Sequence, residues 1–256
     1  MKIATWNVNS IRARKERALD WLRDREPDVV CLQETKVPDD TFPIEACGEL
    51  GYRAAFHGQA GYNGVAILSR WPLADEQAGL GDGEDDAQAR VVAATVRGVR
   101  VISVYVPNGQ AVGTDKYAYK LAWLERLRRY LERCCDPAEP VVLAGDFNVA
   151  PDDRDVHDPL AWKGRILCSD AERRALAGVR DWGLQDSFRL HEEGGGYYSW
   201  WDYRMLGFPK NRGLRIDHIY VTAPLAAACT RAYIDREARK GKGASDHAPV
   251  FAELAL

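Results

Sequence analysis

The sequence predicts an α/β protein built as a sandwich of two packed sheets covered by helices, and three observations lead there. Short apolar runs of strand length recur along the whole chain, several of them in adjacent hairpins, a few amphipathic helical segments lie between them, and strands outnumber helices. From Lys2 to Val8 apolar positions alternate as in a strand, and Ile11 to Arg25 carries Ala18, Leu19 and Leu22 at helical spacing before Pro27 stops it. Val29-Val30-Cys31-Leu32 is apolar throughout and too short for a helix, so it reads as a buried strand delivering Gln33 and Glu34 at its end. Val65 to Leu68, Val91 to Val96, Val99 to Val106 and Val141 to Ala144 repeat the signature. Asp115 to Arg133 places Tyr117, Leu121, Leu124 and Leu131 on one face and charge on the other, which predicts an amphipathic helix. Ser169-Asp170-Ala171-Glu172 has capping-box spacing and opens a helix expected to end near Trp182. Leu214 to Val221 alternates as a strand, Ala248 to Leu254 closes the chain, and the acidic stretch Gly79 to Asp86 reads as a surface hairpin loop.

At 256 residues the chain exceeds the commonest domain size yet stays within the range of one large core, so a single domain over 1–256 is expected. Its 46% hydrophobic content is too high for a disordered chain. No apolar run approaches the roughly 20 residues of a membrane span, and Met1 to Asn7 enters a strand pattern directly, so a cytoplasmic protein without membrane contact is expected. The six cysteines show no C-x-x-C spacing and read as reduced core residues, which leaves carboxylates to hold any metal and favours a hard cation, magnesium or manganese. A net charge of −3 excludes a protein that is basic all over, so any nucleic-acid binding must rest on local patches.

The informative feature is where polar residues fall. Asn7, Glu34, Asp146, Asn148 and Asp246 each lie at or just beyond the end of an apolar strand run, and Asp217 interrupts another. Strands in packed layers end at a common rim, so such residues converge, and clustered carboxylates call for a metal or a basic neighbour such as His247. Singly, each position fits a blander role: an Asx turn for Gly145-Asp146-Phe147-Asn148, a cap for Ser245-Asp246-His247, a solvated strand end for Glu34, an edge-strand polar residue for Asn7. Five coincident strand-end placements favour the functional reading.

Thr5-Trp6-Asn7-Val8-Asn9, Leu32-Gln33-Glu34-Thr35-Lys36, Val104 to Gly109, Gly145-Asp146-Phe147-Asn148, Asn211 to Asp217 and Ser245-Asp246-His247-Ala248-Pro249 resemble, in order and from end to end, the motifs of the exonuclease III family of apurinic/apyrimidinic endonucleases. The Asn, Glu, Gly-Asp-x-Asn and Ser-Asp-His elements are shared by the wider endonuclease/exonuclease/phosphatase superfamily. Gln33 to Lys36, Tyr105 to Gly109, Ser199 to Arg204 and Asn211 to Asp217 carry the repair-specific resemblance. It implies a DNase I-like, four-layered α/β sandwich of two mixed sheets flanked by helices. It also implies magnesium-dependent hydrolysis 5′ to abasic sites together with 3′-5′ exonuclease and 3′-end trimming, on duplex DNA carrying abasic sites, nicks or recessed 3′ ends, by a monomer.

For the site, the resemblance implies Glu34 as principal magnesium ligand, with manganese as a substitute, Asn7 beside it and Asp246 near a second or alternative metal position. Asp146 orients or deprotonates the attacking water, Asn148 holds water or a phosphate oxygen, His247 braced by Asp217 contacts the phosphate, and Tyr105 adds a phenolic hydrogen bond; whether Asp146 or His247 is the base stays open. Lys36 and Arg212 are expected to contact DNA, as is the loop of Lys240 and Lys242, and Trp200, Leu214 and Ile216 to line an apolar pocket for a flipped-out abasic sugar, or else to be plain core. Arg215 belongs to the same group of basic residues near motif segments, whereas Arg126, Arg128, Arg129 and Arg133 are expected on a solvated helix face. Ser10 stands where the family often has glycine, and Gln110 to Lys116 lacks an arginine that some relatives carry. His157 either reaches the DNA or is inert, and His57, His191 and His218 are read as structural. Two rivals remain: a phosphoesterase of the same fold acting on inositol phosphates, sphingomyelin or RNA, and a non-catalytic nucleic-acid-binding homologue.

Overall fold

Strands that are apolar on both faces must be covered on both, and that requirement organises the computed structural model, which describes residues 1–84 and 88–256. In chain order the elements are β1 (Lys2–Asn7), α1 (Lys15–Arg25), β2 (Val29–Gln33), α2 (Ile44–Glu49), β3 (Arg53–His57), β4 (Val65–Ser69), β5 (Ala74–Ala78), β6 (Val91–Val96), β7 (Val99–Tyr105), α3 (Asp115–Cys134), β8 (Val141–Asp146), α4 (Pro159–Trp162), α5 (Asp170–Arg180), β9 (Leu184–Asp186), β10 (Asp217–Thr222), α6 (Ala223–Ala228), β11 (Cys229–Ile234) and β12 (Val250–Leu254). They form two six-stranded sheets, ordered β11-β12-β1-β2-β4-β3 and β5-β6-β7-β8-β10-β9.

The inner faces interdigitate: Ile3, Cys31, Ile67 and Val250 of one sheet pack on Ala94, Val101, Val142 and Ile219 of the other. Trp21 and Leu22 of α1 cover the outer face of the first sheet over Trp6, Leu32 and Phe251. Trp123 and Leu127 of α3, with Leu176 and Val179 of α5, cover the second over Ile102, Leu143 and Tyr220. The result is the expected four-layered sandwich of two mixed sheets flanked by helices.

Register brings the functional strand ends to one rim. β1 runs parallel to β2 with Asn7 opposite Gln33, and β7 parallel to β8 with Tyr105 opposite Asp146. β10 is antiparallel to β8, so it begins where β8 ends, with Asp217 facing Asp146. Gly145 is dictated by this tight pairing, since a Cβ there would lie 1.9 Å from the Val104 carbonyl oxygen.

Several boundaries differ from the sequence pattern. Helix α1 starts at Lys15 and not Ile11, because Asn9 and Ser10 adopt left-handed φ of 45° and 83° and the Ser10 and Ile11 amides bond the Glu34 and Thr35 carbonyls. Leu214 to Ile216 are not strand: Leu214 exchanges backbone bonds with Trp200 and the Arg215 amide bonds the Asp155 carbonyl, so β10 begins at Asp217. β3, β5 and β11, which the apolar pattern does not announce, lie at or next to sheet edges, where solvent lets polar residues in. The Gly79 to Asp86 loop joins β5 to β6 as expected over its described part, while Asp85 and Asp86 lie outside the described residues.

Two arginines read from sequence as surface groups are buried. Arg126 pairs with Asp82 at 2.7 Å. Arg215, 0% exposed, donates to Asp155 at 2.6 Å and Asp186 at 2.8 Å, and touches His218 Nδ1 at 3.0 Å, so it is a brace for the loop before β10 and not part of an anionic groove. Burial and the neighbouring Arg215 push His218 down to about 3, which keeps it neutral and structural as expected. Burial alone would raise Asp186, but the Arg215 charge outweighs it and holds the carboxyl at about 2 against an ordinary 3.8. A depressed folded-state value stabilises the fold above the unfolded value, and the contribution disappears as pH falls toward 2. Asp186→Asn, which leaves Arg215 short of a counter-charge, is therefore expected to cost about 3–5 kcal/mol at pH 7 in urea denaturation, with the gap to wild type narrowing by about 2 kcal/mol between pH 4 and pH 2. A gap independent of pH would contradict the assignment.

Candidate active site

At the rim of the sandwich the ends of β1, β2, β7 and β8 meet the start of β10 and the turn before β12, and the polar residues of those ends come together. Glu34 leaves β2 in a left-handed conformation, φ 51°, and Asn148 turns after β8 with φ 50°; both are uncommon for non-glycine residues and both redirect a side chain into the site. Nδ2 of Asn7 bridges the two central carboxylates, 2.8 Å from Glu34 Oε1 and 2.9 Å from Asp146 Oδ2. The other oxygen of Asp146 accepts the Asn148 amide at 2.9 Å. Asn148 Nδ2 donates to the Val106 carbonyl at 2.9 Å, and its Oδ1 accepts from Asn108 at 3.1 Å.

His247 is held on one side by Asp217, with Nδ1 at 2.8 and 3.1 Å from the two carboxylate oxygens, while Nε2 lies 3.8 Å from Asp146 Oδ2. Burial by itself would lower the imidazole, but Asp217 and then Asp146 outweigh it and push it up to about 10, so it is imidazolium at neutral pH. Asp146 moves the other way from an ordinary carboxyl: burial and the Asp217 charge raise it to about 7 against the lowering pull of His247. Tyr105, raised well above its usual value by burial and by Glu34 and Asp146, stays a protonated phenol.

Asp246 belongs to a second arm. Its oxygens accept from Asn9 Nδ2 at 2.9 Å and Trp200 Nε1 at 3.0 Å, and His247 with these two donors holds it below the usual range although burial alone would raise it. The arm connects to Glu34 through Lys36, whose ammonium is 2.7 Å from Asn9 Oδ1 and 2.8 Å from Glu34 Oε2. Lys36 thus supplies a positive charge beside the partly exposed Glu34 carboxylate.

Ligand atoms of Glu34, Asp146 and His247 all lie within 4.8 Å of one another, a group that could hold a metal ion. The two carboxylates fit a hard cation, whereas a protonated imidazole does not ligate. Asn7 sits where expected but turned: its NH2 faces both carboxylates and its Oδ1 accepts the Asn9 amide at 2.9 Å, so it bridges the carboxylates and does not offer them an oxygen-lined pocket. Asp246 lies outside the Glu34, Asp146 and His247 group.

Of the residues expected at the site, Asn7, Glu34, Lys36, Tyr105, Asp146, Asn148, Asp217, Asp246 and His247 are brought together, and Trp200 reaches them through Asp246. Leu214 and Ile216 are fully buried in an apolar cluster with Ala150, Val156 and Leu167, and the half-buried Trp200 packs on its edge. Arg212 is exposed in the loop between Trp201 and Leu214. His157 contacts the Gly213 carbonyl at 3.2 Å and the edge of Trp162. Sequence reading missed the supporting groups. Asn9 and Asn108 sit inside quoted motifs without being singled out, Ser199 Oγ accepts the Ile216 and Asp217 amides at 3.0 Å, and Ser245 Oγ donates to the Asn7 carbonyl at 2.7 Å. The only signal for them was proximity to a motif, because their partners are remote in the chain.

A model of the endonuclease/exonuclease/phosphatase family matches residues 4–247. Over the whole chain, exodeoxyribonuclease III of Haemophilus influenzae is 37% identical, with 99% of this chain and 100% of the relative covered. The 3′ phosphatase NExo from Neisseria, solved bound to a product DNA hairpin, superposes with a TM-score of 0.96 at 44% identity, and an AP endonuclease from Archaeoglobus fulgidus with 0.95 at 39%, each over 100% of both chains. Motif order, two-sheet architecture and full-length similarity agree, and the chain belongs to the endonuclease/exonuclease/phosphatase family.

Proposed function

We propose that this protein is a DNA repair nuclease that hydrolyses the phosphodiester 5′ to abasic sites in duplex DNA and removes nucleotides and blocking groups from 3′ ends. The observation that carries the reading is the convergence of Glu34, Asp146 and imidazolium His247 at one rim in a chain similar over its full length to an exodeoxyribonuclease III. One chain supplies every residue of the constellation, so a monomer suffices. Among the described residues no helix is long and apolar enough to cross a membrane.

Magnesium, with manganese as a substitute, fits the Glu34 carboxylate as its principal ligand, and when bound it would offset charge on the phosphate. The chain's own residues do the rest. Asp146, raised toward 7 and fixed at both oxygens, accepts a proton from the attacking water, while Asn148 holds water in line. His247, kept charged by Asp217, donates to a phosphate oxygen, so Asp146 and not His247 is the base. The Tyr105 phenol adds a donor to the same phosphate. Lys36 neutralises phosphate charge close to the reacting group, and Arg212 and the Lys240 to Lys242 loop contact the duplex further out. Trp200 presents an aromatic edge to the abasic sugar, above the buried Leu214 and Ile216.

A gel assay on duplexes carrying one abasic site, a nick with a 3′ phosphate, or a recessed 3′ end tests the reading. Magnesium-dependent cleavage of all three is expected, with Asp146→Asn lowering kcat about 100- to 10,000-fold and Trp200→Ala impairing abasic incision most. Hydrolysis of inositol phosphates or sphingomyelin without DNA cleavage would transfer the protein to another phosphoesterase class. The similarity to a structure described as a 3′ phosphatase favours one alternative weighting, in which the nicked 3′-phosphate duplex is the preferred substrate, and the same gel reads it. Glu34→Ala is expected to raise the magnesium concentration needed for half-maximal rate at least about tenfold; an unchanged requirement would remove Glu34 as ligand.

The pH profile distinguishes the two candidate bases. Because Asp217 is the main group raising His247, Asp217→Asn lowers the imidazole, and the alkaline fall in kcat is expected to move from near 10 toward neutrality. An alkaline limb that stays in place would show that loss of the His247 proton does not limit the reaction.

A further inference from the structure

Lys120 projects from α3 into the layer between the helices and the second sheet and is 0% exposed, yet it is no part of the constellation at the rim. An ammonium carries three protons, and all are used: Nζ donates to the main-chain carbonyls of Asn148 at 2.6 Å and Asn108 at 3.2 Å, and to the Glu172 carboxylate. Glu172, equally buried, is the N3 residue of the α5 capping box; it also accepts the Leu167 and Ser169 amides at 3.0 Å and the Ser169 hydroxyl at 2.6 Å. Tyr117, one turn before Lys120, closes the ring with a 2.6 Å hydrogen bond to the same hydroxyl.

A buried ion pair is a poor way to gain stability, because desolvation of both charges offsets their attraction and an apolar pair of equal volume often does as well. This pair does something an apolar pair cannot. It fixes two carbonyls from two separate loops, and the side chains of those same residues, Asn108 and Asn148, hydrogen-bond each other at 3.1 Å beside Asp146. The contact is close: a Cβ at Gly109 would lie 3.0 Å from Lys120 Cδ, so the loop packs directly on the lysine stem. Asn148 holds its left-handed turn with its amide on Asp146 Oδ1 and its carbonyl on Lys120.

We propose that Lys120, with Glu172 as its counter-ion, is a positioning residue for phosphodiester hydrolysis, aiming the Asn148 side chain at Asp146, and the Asn108 side chain at Asn148, by holding both main-chain carbonyls. The inference rests on the proposed nuclease function for its kinetic consequence and on the hydrogen-bond network alone for its structural one. Lys120→Met by itself strands the Glu172 carboxylate and destabilises the fold, so the informative variant is Lys120→Met combined with Glu172→Gln, which removes both charges and keeps acceptor oxygen for the α5 cap.

Thermal melting, steady-state kinetics on the abasic duplex, and hydrogen exchange of the Asn148 amide and of the Gln110 amide, which donates to Asn108 Oδ1 at 3.2 Å, are measured together. In the double variant Tm is expected to return close to wild type while kcat stays about 10- to 100-fold low with KM within about threefold, and the two loop amides exchange at least about tenfold faster. Recovery of both Tm and kcat, with loop exchange unchanged, would overturn the proposal and leave the pair as a packing element. If the wild-type protein turns over none of the DNA substrates, the functional reading has failed, and the exchange rates of the two loop amides still decide whether Lys120 positions them.

Discussion

Glu34, Asp146, Asp217 and Asp246 crowd the rim of the sandwich, and like charges this close repel unless each is answered by a donor or a cation. The surrounding structure answers them unequally. Asp217 is matched by the imidazolium of His247, and Asp246 by Asn9 and Trp200. Glu34 and Asp146 share a single amide, that of Asn7, with Lys36 reaching Glu34 from one side and the Asn148 amide reaching Asp146 from the other. Ligand atoms of Glu34, Asp146 and His247 come within 4.8 Å of one another, so this is where a divalent cation and an anionic substrate would have to meet.

The charges can be held there because they stand on rigid elements. Parallel pairing of β1 with β2 and of β7 with β8 aligns four strand ends, and the apolar faces of both sheets leave those ends no freedom to drift. Beneath the rim, two buried ionic clusters brace the loops that leave the strands. Arg215 with Asp155 and Asp186 secures the approach to β10, and Lys120 with Glu172 secures the loops that follow β7 and β8. Donors fixed in advance need no reorganisation when charge develops on a phosphate, which is the physical basis of electrostatic catalysis in such a site.

Asp146 and His247 both shift upward, and burial accounts for only the first of the two. A desolvated carboxyl rises, a desolvated imidazole falls, and the adjacent Asp217, followed by Asp146 and Asp246, reverses the second tendency. The site thereby raises both members of a pair 3.8 Å apart, Asp146 by burial and the Asp217 charge and His247 by its carboxylate neighbours, a coupling that neither residue would show alone.

The strands that are buried on both faces, the amphipathic α3, the capped α5 and the identity of the converging polar residues are legible in the amino-acid sequence, because each leaves a local mark: an apolar run, a period, a cap or a motif at a strand end. Edge strands β5 and β11 left no such mark, since one of their sides faces solvent. Packing of the sheets was needed to bury Arg215 and Lys120, to turn the Asn7 nitrogen to the carboxylates, to place Leu214 and Ile216 in an apolar cluster, and to set His247 against Asp217, which raises it. The reason is the same throughout: a charge or an amide is placed by partners tens of residues away, and until the sheets pack nothing in the local chain says which partner it will meet.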